Sequence, residues 1–281
     1  MQLGYSTWGM PAVPIDVAIR HLAQTGYQGV EITVIPGYCT ELSTLDRAER
    51  RRIAALAKQH QLAIPAIAAH SDMLAADPQK YAQAQARLRG AIDLAVEWAE
   101  WMGADEPAVI DTTPGGAPGD WEAKIGLLVE RTHELLVYAT SRGVTIAMEP
   151  HVGAILNTPQ RTVDFLHLVN HPKLGLNFDI SHFNVMGFSI EESVTMMAPY
   201  SVHTHIKDER GIFPNHEFLI PGEGVFDYVR YLKAMQQAGY TGFVSPEISI
   251  MVQRRPNYDP LAAATQTYTV VAKAFVDAGL V

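Results

Sequence analysis

Four short apolar runs in the second half of the chain each end on a side chain that can bind a metal ion. The runs IAME, GLNFD, SVHTH and GFVSPE lead to Glu149, Asp179, His205 and Glu247. Three carboxylates that meet beside one imidazole repel each other unless a cation lies between them. These residue types therefore predict a metal centre, provided that the four runs are neighbouring strands.

The position of each residue within its run supports this interpretation, because side chains alternate between the two faces of a strand. In each run the predicted ligand falls on one face, whereas apolar residues such as Met148 and Phe178 fall on the other. His205 shares its face with His203 and Lys207. In a parallel barrel, polar residues at the carboxyl ends of strands point into the mouth, where active sites lie.

The four runs belong to a pattern that alternates short apolar runs with amphipathic stretches along the whole chain. The predicted strands are Gln2–Thr7, Gly29–Thr33, Ala63–Ala69, Ala108–Thr112, Thr145–Glu149, Gly175–Asp179, Ser201–Lys207 and Gly242–Ile248. The predicted helices are Ile15–Thr25, Leu45–His60, Pro78–Met102, Trp121–Arg142, Pro159–Val169, Ile190–Ala198, Phe226–Ala238 and Pro260–Ala278. Such strict alternation indicates an α/β protein with a parallel sheet and crossover helices.

Eight such units in 281 residues match a (β/α)8 TIM barrel in length, so we expect a single domain over residues 1–281. An open, doubly wound sheet is the structural alternative. It usually has fewer strands, and no Gly-x-Gly-x-x-Gly motif follows any predicted strand. Two longer segments, Thr113–Asp120 and Asp208–Gly224, are expected to be loops at the catalytic end of the barrel.

The composition is that of an ordinary globular protein, with 48% hydrophobic and 18% charged residues. The net charge of −9 argues against a nucleic-acid partner, because proteins that bind phosphate backbones usually carry a basic face. Cys39 is the single cysteine, which excludes a site built from several thiolates. No signal peptide and no run of ~18 apolar residues is evident, so we expect a cytoplasmic protein without membrane contact.

The predicted ligand set also indicates which ion it would bind. Oxygen-rich ligation with one imidazole suits a hard or borderline divalent ion better than a closed tetrahedral zinc site does. The set favours one Mn²⁺ ion, with Mg²⁺, Co²⁺ and Zn²⁺ as alternatives. A cation beside carboxylate bases suits removal of a proton next to a carbonyl group, through an enediolate.

Five short motifs carry a resemblance to a known family. They are MEPH at 148–151, FDISH at 178–182, HTHIKD at 203–208, PGEG at 221–224 and PE at 246–247. The chain resembles, over nearly its whole length, the xylose isomerase-like TIM barrel superfamily of sugar isomerases and epimerases, which also contains endonuclease IV. The resemblance implies that the four strand-end residues bind one divalent metal ion. It also implies that Glu149 and Glu247 move the proton, that His182 contacts the substrate, and that the protein forms a homodimer or homotetramer.

Three further residues are candidates for substrate binding. His70 ends the third predicted strand, His151 follows the first predicted ligand, and Lys207 shares the face of His205. The structural alternatives are a hydrogen bond for His70 and an ion pair for Lys207. Glu31, in the second predicted strand, is expected to have a structural partner inside the barrel.

The favoured function is a metal-dependent isomerase or epimerase that acts on a small carbohydrate or sugar derivative. A lyase or dehydratase acting on a keto-sugar or keto-inositol would use the same ion and base, and is the first alternative. Phosphodiester hydrolysis like that of endonuclease IV is less favoured, because the Asp-x-His pair that follows the seventh strand in that enzyme is missing. A sugar-binding barrel without catalysis is a further alternative.

Two positions depart from the pattern of ketose 3-epimerases. Those enzymes carry a glutamate six residues beyond the first ligand, where this chain has Ile155. They also carry an arginine six residues beyond the histidine of the seventh strand, where this chain has Gly211 preceded by Arg210. These differences argue against a strict ketose 3-epimerase.

Overall fold

Eight parallel strands form a closed barrel in the computed structural model, which describes residues 1–280. The strands in chain order are β1 Gln2–Leu3, β2 Ile32–Thr33, β3 Ala66–Ala68, β4 Val109–Thr112, β5 Ile146–Met148, β6 Leu174–Asp179, β7 Ser201–Ile206, β8 Asp208–Ile212, β9 Asn215–Leu219 and β10 Phe243–Pro246. Their order in the barrel is β1-β10-β7-β6-β5-β4-β3-β2, whereas β8 and β9 form a separate antiparallel hairpin. A parallel bridge between Ser6 and Glu31 joins β1 to β2 and closes the ring.

Helices surround the barrel in a second layer. They are α1 Ile15–Thr25, α2 Arg47–Gln59, α3 Pro78–Met102, α4 Trp121–Ser141, α5 Pro159–Val169, α6 Ser181–Asn184, α7 Ile190–Met197, α8 Tyr228–Gln237, α9 Ile250–Gln253 and α10 Pro260–Asp277. Without the short helices α6 and α9, eight helices remain, one after each barrel strand. The predicted (β/α)8 barrel in a single domain is therefore confirmed. No helix between residues 1 and 280 is long and apolar enough to cross a membrane.

The strand faces are arranged as the alternation predicts. Met148, Phe178, Ile206 and Val244 point away from the mouth, are fully buried, and belong to the core between the barrel and its helices. Val202 is the exception, since its side chain at the start of β7 is 39% exposed. The core therefore fixes the register that leaves the polar residues facing the barrel interior.

Several predicted ends differ by a few residues. The first strand stops at Leu3 rather than Thr7, because Ser6 Oγ accepts a hydrogen bond from Trp8 N (3.2 Å) and the chain enters a short 3-10 helix. Helix α2 begins at Arg47 rather than Leu45, because the Asp46 carboxylate accepts from Glu49 N (2.8 Å) and caps the helix.

The expectation that Asp208–Gly224 is an irregular loop is wrong. Most of this segment forms the β8–β9 hairpin, in which Asp208 pairs with Leu219 and Glu209 with Phe218. Asp208 also fixes the PGEG segment that follows, because its carboxylate accepts from the backbone N–H groups of Gly222 (2.8 Å) and Phe226 (3.0 Å). A Cβ on Gly224 would lie 2.3 Å from Asp208 Oδ1 and 2.5 Å from Glu209 O. The close approach of Asp208 therefore requires glycine at position 224.

We expect Gly224→Ala to lower the free energy of unfolding by about 1–3 kcal/mol, because its methyl group overlaps a buried carboxylate and a backbone oxygen. Urea denaturation would measure the change. Gly126→Ala is the matched control, since a Cβ at this position in α4 meets nothing within 4 Å and should stabilise the helix by ~0.5–1 kcal/mol. Equal stability of Gly224→Ala and the unchanged protein would contradict the close packing of Asp208 and Glu209 against Gly224.

Candidate metal centre

The four predicted ligands meet at one side of the barrel mouth. Glu149 follows β5, Asp179 ends β6, His205 lies in β7 and Glu247 follows β10, and these four strands are consecutive neighbours in the barrel. One ligand atom from each lies within 4.8 Å of those of the other three. The two carboxylates of Glu149 and Glu247 are 3% and 5% exposed, and the other two ligands are fully buried.

Two basic side chains counter the negative charge of this cluster. Lys207 Nζ contacts both Asp179 Oδ2 and Glu247 Oε2, and His205 Nδ1 lies 3.6 Å from Glu149 Oε1. Burial alone would raise the pKa of Glu149, but the nearby His205 and the charges of His70 and Lys207 hold that pKa at about 2. The charge of Lys207 likewise outweighs burial and lowers the pKa of Asp179. Glu149 and Asp179 are therefore held in the ionised form that binds a cation, whereas burial raises the pKa of Glu247 despite the charge of Lys207.

The residues predicted to contact the substrate surround the same cluster. His182 Nε2 lies 3.6 Å from Asp179 Oδ2, and the rings of His182 and His151 are 4.0 Å apart. His70 Nε2 lies 3.6 Å from Glu149 Oε2. The structure thus brings all eight predicted site residues together, while their roles as ligands and substrate contacts stay predictions.

A cavity of about 220 Å³ at the barrel mouth is lined by six of these eight residues: His70, Glu149, His151, His182, Lys207 and Glu247. Trp8 and Phe218 form apolar parts of its wall. Phe218 belongs to the β8–β9 hairpin, and its ring meets that of His182 edge to face at 5.1 Å. The cavity is smaller than the ~300–1,000 Å³ typical of sites for drug-sized ligands, which fits a small substrate.

The donor set fits a divalent cation. It offers three carboxylates and one imidazole nitrogen on a shared centre, which is the ligand chemistry of a hard or borderline ion. Glu149 and His205 would both bind the cation, His205 through Nδ1. The Nε2 atom of His205 faces Glu31. His205 thus has a second residue on the ring nitrogen that faces away from the cluster, as metal-binding histidines generally have.

Sequence reasoning missed Asp111, which lies at the end of β4 beside His70. Its Oδ2 is 3.5 Å from His70 Nε2, and neither carboxyl oxygen has a hydrogen-bond partner among the described residues. Burial, together with the charges of Glu149 and Glu31, raises the pKa of Asp111. The signal in the sequence was an acidic residue inside the otherwise apolar run AVIDTT.

Glu209 is a second buried acid that sequence reasoning missed. It lies in β8, is 5% exposed, and accepts one hydrogen bond from Asn184 Nδ2 (3.0 Å), while its Oε2 has no partner among residues 1–280. Burial raises the pKa of Glu209 to about 8. A carboxyl group with this pKa is protonated in the folded protein at neutral pH.

We expect Glu209→Gln to stabilise the protein increasingly as the pH rises from 5 to 8. In this interval the unfolded chain ionises Glu209 while the fold keeps it protonated, so the unchanged protein loses stability as the pH rises. The amide cannot ionise, so the variant Glu209→Gln does not lose this free energy of unfolding, which amounts to at most about 1.4 kcal/mol per pH unit. Thermal melts of both proteins at several pH values would measure the difference in Tm.

Glu217→Gln is the matched control on the same hairpin. Glu217 is exposed and paired with Arg210, which lowers its pKa, so it is ionised in both states over this interval. Its replacement should shift Tm equally at every pH. A shift for Glu209→Gln that does not depend on pH would mean that Glu209 is ionised in the folded protein.

Fold and site together define a (β/α)8 barrel with a buried carboxylate–histidine cluster at the carboxyl ends of its strands. The chain belongs to the xylose isomerase-like TIM barrel family, whose family model matches residues 19–267.

Two relatives match most of the chain. It is 26% identical over 264 residues to the fructoselysine 3-epimerase of Shigella flexneri, with 91% of this chain and 93% of that protein covered. It is 29% identical over 261 residues to a putative hydroxypyruvate isomerase of Xenopus laevis, with 86% and 87% covered.

Two solved structures share the fold. The IOLI protein with a bound zinc atom superposes with a TM-score of 0.77 at 21% identity, over 99% of this chain and 98% of that one. The probable 3-DHS dehydratase AsbF of Bacillus anthracis superposes with a TM-score of 0.76 at 17% identity, over 97% and 99%. At these identities the likeness shows the fold alone.

Proposed function

We propose that this protein is an isomerase or epimerase of a small sugar or sugar derivative and depends on one divalent metal ion. The observation that carries the proposal is the convergence of Glu149, Asp179, His205 and Glu247 within 4.8 Å of one another. The small cavity beside them supports a small substrate, and the similarity to a fructoselysine 3-epimerase and a putative hydroxypyruvate isomerase supports a sugar or a small hydroxy-carbonyl compound.

The four convergent residues would hold the ion. A bound divalent cation would polarise a carbonyl group and the neighbouring hydroxyl group of the substrate. Mn²⁺ suits the donor set best, and Mg²⁺, Co²⁺ and Zn²⁺ are alternatives; the bound zinc of the IOLI protein supports a borderline ion of this kind.

Glu149 and Glu247 would then transfer the proton. Glu149 and Glu247 belong to strands separated by β6 and β7, so they can approach a substrate between them from two sides. In an epimerisation, one carboxylate removes the proton next to the carbonyl group, and the other glutamate, present in its protonated form, donates a different proton to the opposite face. An isomerisation needs only one of the two. Lys207 provides positive charge near the oxygen that becomes negative, which stabilises the enediolate.

The histidines and the apolar walls would orient the substrate. His70, His151 and His182 line the cavity and offer ring nitrogens to sugar hydroxyl groups. Trp8 and Phe218 limit the access of water to the reacting carbon. Neither departure from ketose 3-epimerases is compensated in the cavity wall, which among the described residues contains no arginine and no glutamate besides Glu149 and Glu247. Ile155 is fully buried in the core, and Gly211 lies in the exposed part of the hairpin. A substrate other than a simple ketose is therefore favoured.

A lyase or dehydratase is the second candidate. The buried core position of Ile155 favours it, because the site then lacks a carboxylate that ketose 3-epimerases place near the substrate. The same base would remove the proton and pass it to a hydroxyl group on the next carbon, whose C–O bond would break with loss of water. A keto-sugar or keto-inositol has the required hydroxyl group.

Incubation in D₂O tests the reaction class. The Mn²⁺-loaded protein would be given hydroxypyruvate, ketoses and keto-inositols, and NMR would follow the products. We expect deuterium at the carbon next to the carbonyl group and an isomeric product without loss of water. Loss of water would replace the isomerase proposal by the dehydratase, and no turnover of any of these compounds would overturn both.

We expect Glu149→Gln and Glu247→Gln each to lower kcat by about 10²–10⁴-fold, because a positioned carboxylate contributes that much to proton transfer. Steady-state kinetics with the best substrate of the D₂O experiment would measure the effect. Glu217→Gln, on the exposed side of the hairpin, should keep kcat within about twofold. Full activity of both site variants would refute the proton-transfer roles.

A further inference from the structure

A second buried cluster lies one layer deeper in the barrel than the metal centre. Glu31, His203 and His205 are each at most 1% exposed, and ligand atoms of all three lie within 4.8 Å of one another. Glu31 Oε2 is 2.9 Å from His205 Nε2 and 3.1 Å from His203 Nε2. His205 therefore belongs to both clusters and connects them.

Glu31 is held rigidly at the place where the barrel closes. Its backbone N–H donates to Tyr5 O (2.9 Å), and its backbone oxygen accepts from Thr7 N (3.0 Å). Its side chain accepts a hydrogen bond from Ser6 Oγ through Oε1, which leaves Oε2 for the two histidines. The carboxylate thus reaches from the β1–β2 junction across the interior to β7, and cannot swing away from His205.

The two ring nitrogens of His205 face different partners. Nε2 faces Glu31, whereas Nδ1 lies 3.6 Å from Glu149 Oε1 and 4.0 Å from Glu247 Oε1. A neutral imidazole carries its proton on one nitrogen and its lone pair on the other. If Nε2–H donates to Glu31, the lone pair on Nδ1 is directed at the carboxylate cluster.

Asn177 could stabilise the other tautomer of His205, with the proton on Nδ1. Its side-chain amide lies 3.1 Å from His205 Nδ1, and the orientation of such an amide follows from its hydrogen bonds. With the amide turned, its oxygen would accept a proton from Nδ1. His205 would then have no lone pair directed at the cluster, so a carboxylate on the Nε2 side decides between the two tautomers.

We propose that Glu31 is a positioning residue of the metal centre: it accepts the Nε2–H of His205 and thereby directs the Nδ1 lone pair at the cation. The inference rests on the proposed function in one respect, since it assumes that the cation binds at Glu149, Asp179, His205 and Glu247. Glu31 itself touches neither the cation nor the substrate.

Metal binding in the absence of substrate tests this role. Glu31→Gln keeps the shape of the side chain but removes its charge, so we expect Co²⁺ to bind about 10–100-fold more weakly, as for other lost partners of metal-bound histidines. Competition with a chromophoric chelator would give Kd. The visible absorption of the Co²⁺-loaded protein should also change, because the ligand field depends on the orientation of His205. A general loss of stability would not change this spectrum.

Thr33→Val is the matched control, two residues further along the chain. Thr33 is fully buried in β2, and its hydroxyl has no hydrogen-bond partner among the described residues, so this variant disturbs the same region without changing His205. It should bind Co²⁺ within about twofold of the unchanged protein and keep the same spectrum. Should Glu31→Gln fail to fold, Glu31→Asp provides the same test, since it keeps the charge but withdraws it from Nε2.

The possible results separate the two proposals. If the unchanged protein binds no divalent ion, the proposed function fails and this inference fails with it. If the unchanged protein binds Co²⁺ and the folded Glu31 variant binds it equally well with the same spectrum, only the role of Glu31 is overturned. Weaker binding with a changed spectrum in that variant, and not in Thr33→Val, supports the role.

Discussion

Close burial of several carboxylates at one end of the barrel is the constraint on which the rest of this structure depends. A buried carboxyl group without a partner is so costly to ionise that it takes up a proton instead. Glu149, Asp179 and Glu247 are tolerated because His205 in β7 and Lys207 directly after β7 face them from the same side of the chain. One segment therefore supplies both the metal-type nitrogen and the positive charge that the three acids require.

Closure of the barrel makes this arrangement possible. The four strands that carry the ligands are consecutive neighbours, so their carboxyl ends form one continuous wall. Residues from the opposite wall contact this wall across the barrel interior. Glu31 contacts His205, and His70 lies beside Glu149. An open sheet would separate these two walls, and the buried histidines and acids would lose their partners.

The sequence predicted the parts of the structure that repeat with a regular period. Alternating strands and helices identify the barrel, and the period of two within strands places the ligands on the inner face. The partner of Glu31 could not be predicted, because His205 is 174 positions away and no local pattern relates β2 to β7. The β8–β9 hairpin was missed for a different reason. Its strands are short, charged and exposed at the tip, and Phe213-Pro214 replaces the Asn-Gly type of turn that marks a hairpin.

The hairpin forms a sheet of its own and pairs with none of the barrel strands between residues 1 and 280. It nevertheless places Phe218 in the wall of the cavity, beside His182. The scaffold that holds the carboxylate–histidine cluster and the segment that completes the cavity wall are thus separate pieces of backbone. Evolution can lengthen, shorten or replace this segment while the cluster beneath it stays intact, so related barrels can diverge in substrate while they conserve their chemistry.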